Sequence, residues 1–242
     1  MSQKVIALIN SIMCLLFVIV VWLASSLAPE TGDITGAPSL STGSVEEELK
    51  EKWAYFLINN ENPLPEDYEP ELKTVGGSFS LDNRCAGYAA EMLKSAELDG
   101  IRLCVVSAYR SRQKQGENFD NYVERLIKEN YSEDEAAAIT ASQIALPGAS
   151  EHNAGLALDI LSADWFMTHD DITDDFDRTP EFAWLSKNSW KFGFILRYPK
   201  HGGDITGFVY EPWHFRYIGQ EKAGQIYNSG LILEEYMDIY PQ

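Results

Sequence analysis

Hydrophobic positions along the chain fall into three regimes. Residues 5–24 are an almost unbroken apolar run, V-I-A-L-I-N-S-I-M-C-L-L-F-V-I-V-V-W-L-A, with no amphipathic period. Residues 29–45 are rich in Pro, Gly, Ser and Thr and read as a flexible tether. From residue 46 onward apolar residues recur at helical or strand spacing, as in a folded domain.

Within that domain a helix is expected over residues 45–57, with Glu46, Glu47 and Glu48 in its first turn, favourable to the helix dipole. Residues 59–70 are turn-rich. Asp82 caps a helix from 83 to about 99, whose apolar positions Ala86, Ala89, Ala90, Leu93 and Ala96 keep helical spacing up to Gly100. Residues 101–108, I-R-L-C-V-V-S-A, read as a strand. Helices follow over 113–130 and 132–144, the second opened by a Ser132/Glu135 capping box. Short buried strands are expected at 156–160 and 207–210. Between them lies a helix over 180–192 with Pro180 in its first turn, ended by Gly193, and a strand at 194–198. This order predicts an α+β fold with a small sheet.

Composition adds location and excludes one class of partner. Twenty apolar residues as a helix span roughly 30 Å, a bilayer core. Lys4 precedes the run and acidic residues follow it, so the positive-inside rule puts the domain outside the cell. Ser26-Leu27-Ala28 resembles a cleavage site, so residues 1–28 are a retained membrane anchor or, second, a cleaved signal. The tether at 29–45 then leads to an extracellular domain over 46–242. The net charge of -18 argues against nucleic acid, whose phosphates need clustered Lys and Arg. Export permits a disulfide between Cys85 and Cys104, but two buried thiols are the favoured reading. A monomer is expected.

The chemistry concentrates in two segments. Ser150-Glu151-His152-Asn153-Ala154-Gly155-Leu156-Ala157-Leu158-Asp159 and Glu211-Pro212-Trp213-His214 contain two of the four histidines, with an aspartate and a spare glutamate. Two neutral imidazoles and one carboxylate suit Zn²⁺, with a fourth position left for water. A carboxylate that does not ligate the metal can then take the proton from that water. A structural zinc site would be closed by four protein ligands, so this set reads as catalytic. Alone, His152 would be a polar loop histidine and Asp159 a cap; the complete set changes that. Gly155 and the alternation after it favour a turn feeding a strand. Glu211 and His214, three apart, would face opposite ways on a plain strand. Pro212 cannot donate to a ladder, so a bulge or strand end is expected there. His169 and His201 read as exposed loop residues.

The pattern Ser150-x-His152-x-x-Gly155-x-Ala157-x-Asp159, followed by Glu211-Pro212-Trp213-His214, resembles the VanY-type D-alanyl-D-alanine carboxypeptidases, zinc peptidases of the LAS group with a hedgehog-like fold. The resemblance spans most of residues 53–220 and takes in Asn62-Pro63-Leu64-Pro65, Ser107-Ala108-Tyr109-Arg110-Ser111, Arg197-Tyr198-Pro199 and Thr206-Gly207. It departs at His201-Gly202-Gly203-Asp204, where a more charged loop is expected. It implies a small antiparallel sheet flanked by helices. It implies His152, Asp159 and His214 as zinc ligands, Glu211 as general base, and Arg110 on the scissile carbonyl and its oxyanion. Gln115 and Ser150 would line the substrate site, with Tyr109 and Trp213 beside it. The implied substrate is the peptidoglycan stem peptide, losing its terminal D-alanine by D,D- or L,D-cleavage. An endopeptidase acting on cross-bridges and a non-catalytic zinc-containing wall-binding module are the alternatives.

Overall fold

A computed structural model describes residues 52–168 and 172–241. The expected anchor, the tether and most of the first helix lie outside the described residues, as does His169. Among the described residues, no helix is long and apolar enough to cross a membrane.

The described part of the first predicted helix is a three-residue 3-10 turn, Lys52–Ala54. The chain beyond it is a strap rather than a helix. Ala54, Tyr55 and Ile58 are buried in the core, and the Ala54 and Phe56 carbonyls accept from Arg216 instead of closing helical turns. A hairpin that the apolar pattern did not announce follows, β1 (Leu72–Gly76) and β2 (Phe79–Asp82). Asp82 then caps α1 (Asn83–Leu98), its carboxylate accepting from the Arg84 N–H. Cys85, Ala86, Ala89, Met92 and Ala96 are the buried stripe of that helix, while Ala90 points to solvent. Cys85 and Cys104 are free thiols.

The central sheet has β3 (Leu103–Ser107), β4 (Ala157–Ser162), β5 (Phe194–Tyr198) and β6 (Glu211–Tyr217), all antiparallel, in the order β3-β4-β6-β5. Around it lie α2 (Arg112–Lys128), α3 (Glu133–Ala141), α4 (Ala163–Thr168), α5 (Pro180–Asn188), the single turn α6 (Gly203–Thr206), α7 (Gln220–Ser229) and α8 (Leu233–Ile239). The expected small antiparallel sheet flanked by helices is therefore present. The strand expected at 207–210 is not. Gly207 closes α6 in the left-handed region (φ +74°), Phe208 stacks on Tyr198, and the strand begins only at Glu211. Val209 N–H donates to the Ser142 carbonyl, which holds this stretch beside α3 rather than in the sheet.

Alternation along β4 sets the two sides of the sheet. Leu158 and Ile160 enter the main core with Phe194, Phe215 and Met92, so Asp159 projects to the other face. Every residue of β4 is buried. The register aligns Ser107 with Asp159 and Asp159 with His214, so three polar residues form one row across three strands.

The turn before β4 is held by Gly155. It sits at φ +67°, and its carbonyl accepts from Asp82 N–H at 2.9 Å. A Cβ there would lie 2.7 Å from the Asp82 backbone nitrogen, at the cap of α1. Gly155→Ala combines left-handed strain with a backbone clash, so it should destabilise the protein by about 1–3 kcal/mol. Urea unfolding checks this: the midpoint should fall, and an unchanged midpoint would contradict the packing described.

Candidate metal centre

Ser150 opens a 3-10 turn, Glu151–Ala154, by accepting His152 N–H on its hydroxyl, and Gly155 ends it. This places His152 against β4. Its Nδ1 lies 2.6 Å from the Ala108 carbonyl. A carbonyl only accepts, so Nδ1 carries the proton and Nε2 presents a lone pair. That lone pair faces Asp159 Oδ2 at 3.3 Å.

His214 repeats the arrangement from β6. Its Nε2 lies 3.0 Å from the buried Glu151 carboxylate, while Nδ1 faces Asp159 Oδ1 at 3.2 Å and Glu211 Oε2 at 3.5 Å. Asp159 Oδ1 is fully buried and makes no hydrogen bond. Electron-rich atoms held this close in a buried place call for a cation among them. Burial works against a charged His214, yet the negative charge of the facing Asp159 and Glu151 carboxylates pushes its pKa up to about 10, as expected of a place that attracts positive charge. Burial, aided by Arg110 and His214, keeps His152 neutral, the form that ligates a metal. One ligand atom from each of His152, Asp159 and His214 lies within 4.8 Å of the others. These residues fit one metal ion, and their N and O donors suit zinc.

Glu211 reaches this cluster because β6 is bulged. The β5–β6 pairing jumps from Leu196↔Phe215 to Tyr198↔Glu211, so Pro212 to His214 face a single residue, Arg197. That distortion brings side chains three apart to one place, as Pro212 suggested. Burial, with repulsion from Asp159 and Glu151, raises the Glu211 carboxyl to about 8 despite the attraction of His214.

Arg110 leaves β3 beside this cluster. Its guanidinium donates to Gln115 Oε1 at 2.8 Å and Ser107 Oγ at 2.9 Å, and lies 3.7 Å from Asp159. Gln115 is almost fully buried and in turn donates to the Ala145 carbonyl at 2.6 Å, so its visible task is to hold Arg110. Arg110, Gln115, Ser150, Glu211 and Trp213 all line, with the three ligand candidates, a cleft of about 670 Å³. Tyr109 does not. Its N–H donates to Ser80 on β2, and its phenol is under the influence of Glu69 and Arg112, away from the cleft lining. Tyr109, expected beside the site, therefore packs next to the β1–β2 hairpin, while its neighbour Arg110 lines the cleft.

One residue escaped the sequence reading. Glu151 was a filler position between Ser150 and His152, but its carboxylate is the hub of a buried ionic network. It accepts from Arg197 Nε at 2.7 Å, lies 3.3 Å from Arg216 Nη1 and holds His214 Nε2. Arg197 forks onto Glu234 of α8 at 2.6 and 2.9 Å. Burial opposes the Glu151 charge, but Arg197 and Arg216 hold the carboxyl far below the usual range. The available signal was Arg197, an arginine inside the otherwise apolar strand F-I-L-R-Y, and Arg216 between Phe215 and Tyr217.

A buried His–Asp–His set with a further carboxylate beside it in an open cleft fits the metal centre of a hydrolase. Comparison with known proteins narrows the class. The family model VanY: D-alanyl-D-alanine carboxypeptidase matches residues 78–220. A D-alanyl-D-alanine carboxypeptidase of Enterococcus faecalis is 36% identical over 216 residues, 87% of this chain and 77% of that protein. Among solved structures, VanYB in complex with D-alanine-D-alanine superposes with TM-score 0.69 at 38% identity, covering 77% of this chain and 98% of that one. A VanB-type VanY D,D-pentapeptidase variant in complex with Zn(II) gives 0.68 at 37%, over 76% and 99%. The LdcB LD-carboxypeptidase gives 0.65 at 35%, over 75% and 84%. The chain belongs to the VanY D-alanyl-D-alanine carboxypeptidase family. The expected zinc accords with the Zn(II) of that neighbour and with the donor set here.

Loss of the Glu151 contact should loosen His214 without removing a ligand. Glu151→Gln is expected to weaken zinc binding about 10–100-fold, the usual effect of an outer-shell partner. Chelator competition on the folded variant measures it, and wild-type affinity would show that Glu151 does not orient His214.

Proposed function

We propose that this protein is a zinc carboxypeptidase that removes the terminal D-alanine from peptidoglycan stem peptides. The observation that carries this reading is the pair of imidazole lone pairs turned onto one buried aspartate at the floor of an open cleft, with Glu211 beside them. His152, Asp159 and His214 would hold the zinc. When bound, the metal polarises the peptide carbonyl and makes a water acidic enough to attack it near neutral pH.

The remaining work falls to the protein. Glu211 takes a proton from the attacking water at Oε2 and passes it to the leaving amine. Arg110, clamped by Gln115 and Ser107, meets the oxyanion that develops on the carbonyl with a charge it never loses. Because that guanidinium is already held in place, little reorganisation accompanies the reaction. Ser150 and Trp213 bound the cleft near the metal set and limit which terminal residue fits. The centre and Arg110 together present positive charge to a substrate that ends in a free carboxylate.

D,D-cleavage is favoured by the names of the E. faecalis relative and the VanYB complex, while the LdcB likeness keeps L,D-cleavage as the second reading. The place of action we propose is outside the cell. Its support is the apolar run at residues 5–24 with Lys4 before it and acidic residues after it.

Glu211→Gln should reduce D-alanine release from a pentapeptide by at least about 10²-fold while zinc stays bound, checked by mass spectrometry of product together with metal analysis. Unchanged turnover would refute its role as base. Arg110→Met should lower kcat by about 10²–10³-fold, as loss of an oxyanion partner does. Release from tetrapeptide alone would move the assignment to L,D-cleavage, and release from neither would remove the carboxypeptidase reading.

A further inference from the structure

The cleft extends well past the metal set, along one face of α2. Gln115, Asn118, Tyr122 and Arg125 all line it. Ten residues of helix separate Gln115 from Arg125, about 15 Å at 1.5 Å per residue. An extended peptide covers that distance with about four to five residues at ~3.3 Å each. A terminal dipeptide fills only the metal end, so the α2 face is available to the upstream part of a longer substrate.

Charge distinguishes its far end. Arg110 and Arg125 are the only arginines or lysines among the lining residues, and Arg110 is committed to the metal end. Arg125 is exposed and stacks on Tyr122. Its guanidinium lies 4.2 Å from the centre of the Tyr122 ring, and the Tyr122 hydroxyl donates to Gln143 Oε1 at 2.6 Å. Its ion pair with Glu129 is loose, Nε to Oε1 at 3.9 Å. No hydrogen bond joins its terminal nitrogens to the described residues. Asn118, half-buried between the two arginines, likewise has no hydrogen-bond partner among the described residues and faces the cleft. The chain carries a net charge of -18, so an anionic peptide meets repulsion from the protein as a whole. A lone cation at a fixed distance from the reacting bond then selects where that peptide's own negative charge must lie.

We propose that Arg125, on its Tyr122 shelf, is a specificity residue that receives a free carboxylate carried about three to four residues upstream of the bond to be cut. This rests on the stem-peptide reading above and adds to it a preference for substrates whose upstream acidic residue is unmodified over those in which it is amidated.

The test uses zinc-loaded protein and two synthetic pentapeptides ending in D-Ala-D-Ala. They are identical except that the acidic residue, third upstream of the terminal bond, is a carboxylate in one and a primary amide in the other. Calorimetric binding to the Glu211→Gln protein is read first, because it does not need turnover. The carboxylate form should bind about three- to fivefold more tightly, the range of a partly exposed ion pair, and the advantage should shrink with added salt. Arg125→Gln should abolish the difference and Arg125→Glu should invert it, through KM rather than kcat when turnover of the wild-type protein is followed. Equal binding of the two peptides by the Arg125-bearing protein, or a preference that survives Arg125→Gln, would overturn the inference. Failure of the wild-type protein to release D-alanine from either peptide would instead strike the carboxypeptidase reading, while the calorimetry would still decide on Arg125.

Discussion

The structure is organised around one electrostatic problem. Two imidazoles are each held from behind by a group that can only accept a hydrogen bond, the Ala108 carbonyl for His152 and the Glu151 carboxylate for His214. Each is thereby obliged to turn a lone pair towards Asp159, at 3.3 and 3.2 Å. Such an arrangement is repulsive by itself and favourable only around a cation. The donor identities suit zinc, and the open cleft would leave such an ion accessible to a substrate.

Much of the surrounding fold serves to hold this arrangement in place. The sheet register puts Ser107, Asp159 and His214 in one row, and the β6 bulge adds Glu211 to it. Behind the row, Glu151, Arg197, Arg216 and Glu234 form an ionic chain with almost no exposure to water, reaching from His214 to α8. Buried charges of this kind contribute little net stability, but removing one member typically costs about 3–5 kcal/mol by stranding its partner. Their value here is geometric, since they fix the back of a ligand ring. Glu234 lies beyond the span matched by the family model, so a helix outside that span contributes to the orientation of the centre.

Features governed by local chemistry are legible in the sequence. Asp82, Gly100, Ser132 with Glu135, Pro180 and Gly193 marked element ends because capping and positive φ depend on nearby residues. The ligand candidates were visible through residue type and spacing, and Pro212 announced the bulge. What depended on distant contacts was not visible. The strap after Lys52 is extended because Arg216, some 160 residues later, claims its carbonyls. The 207–210 stretch has the composition of a strand but is held by Ser142 and Tyr198. Tyr109 and Arg110 are adjacent in the Ser107–Ser111 segment, yet only Arg110 lines the cleft, a difference that their spacing does not signal. Glu151 gave no periodic signal, since its partners come from β5 and β6.

His152, Asp159 and His214 are proposed to enclose one zinc ion with a position left open. X-ray absorption at the zinc edge of the metal-loaded protein tests it directly. The expected result is one zinc per chain, the outer-shell scattering of two imidazoles, Zn–N at about 2.0–2.1 Å and only oxygen as the remaining neighbours. Sulfur neighbours, a single imidazole, or two closely spaced metals would contradict it.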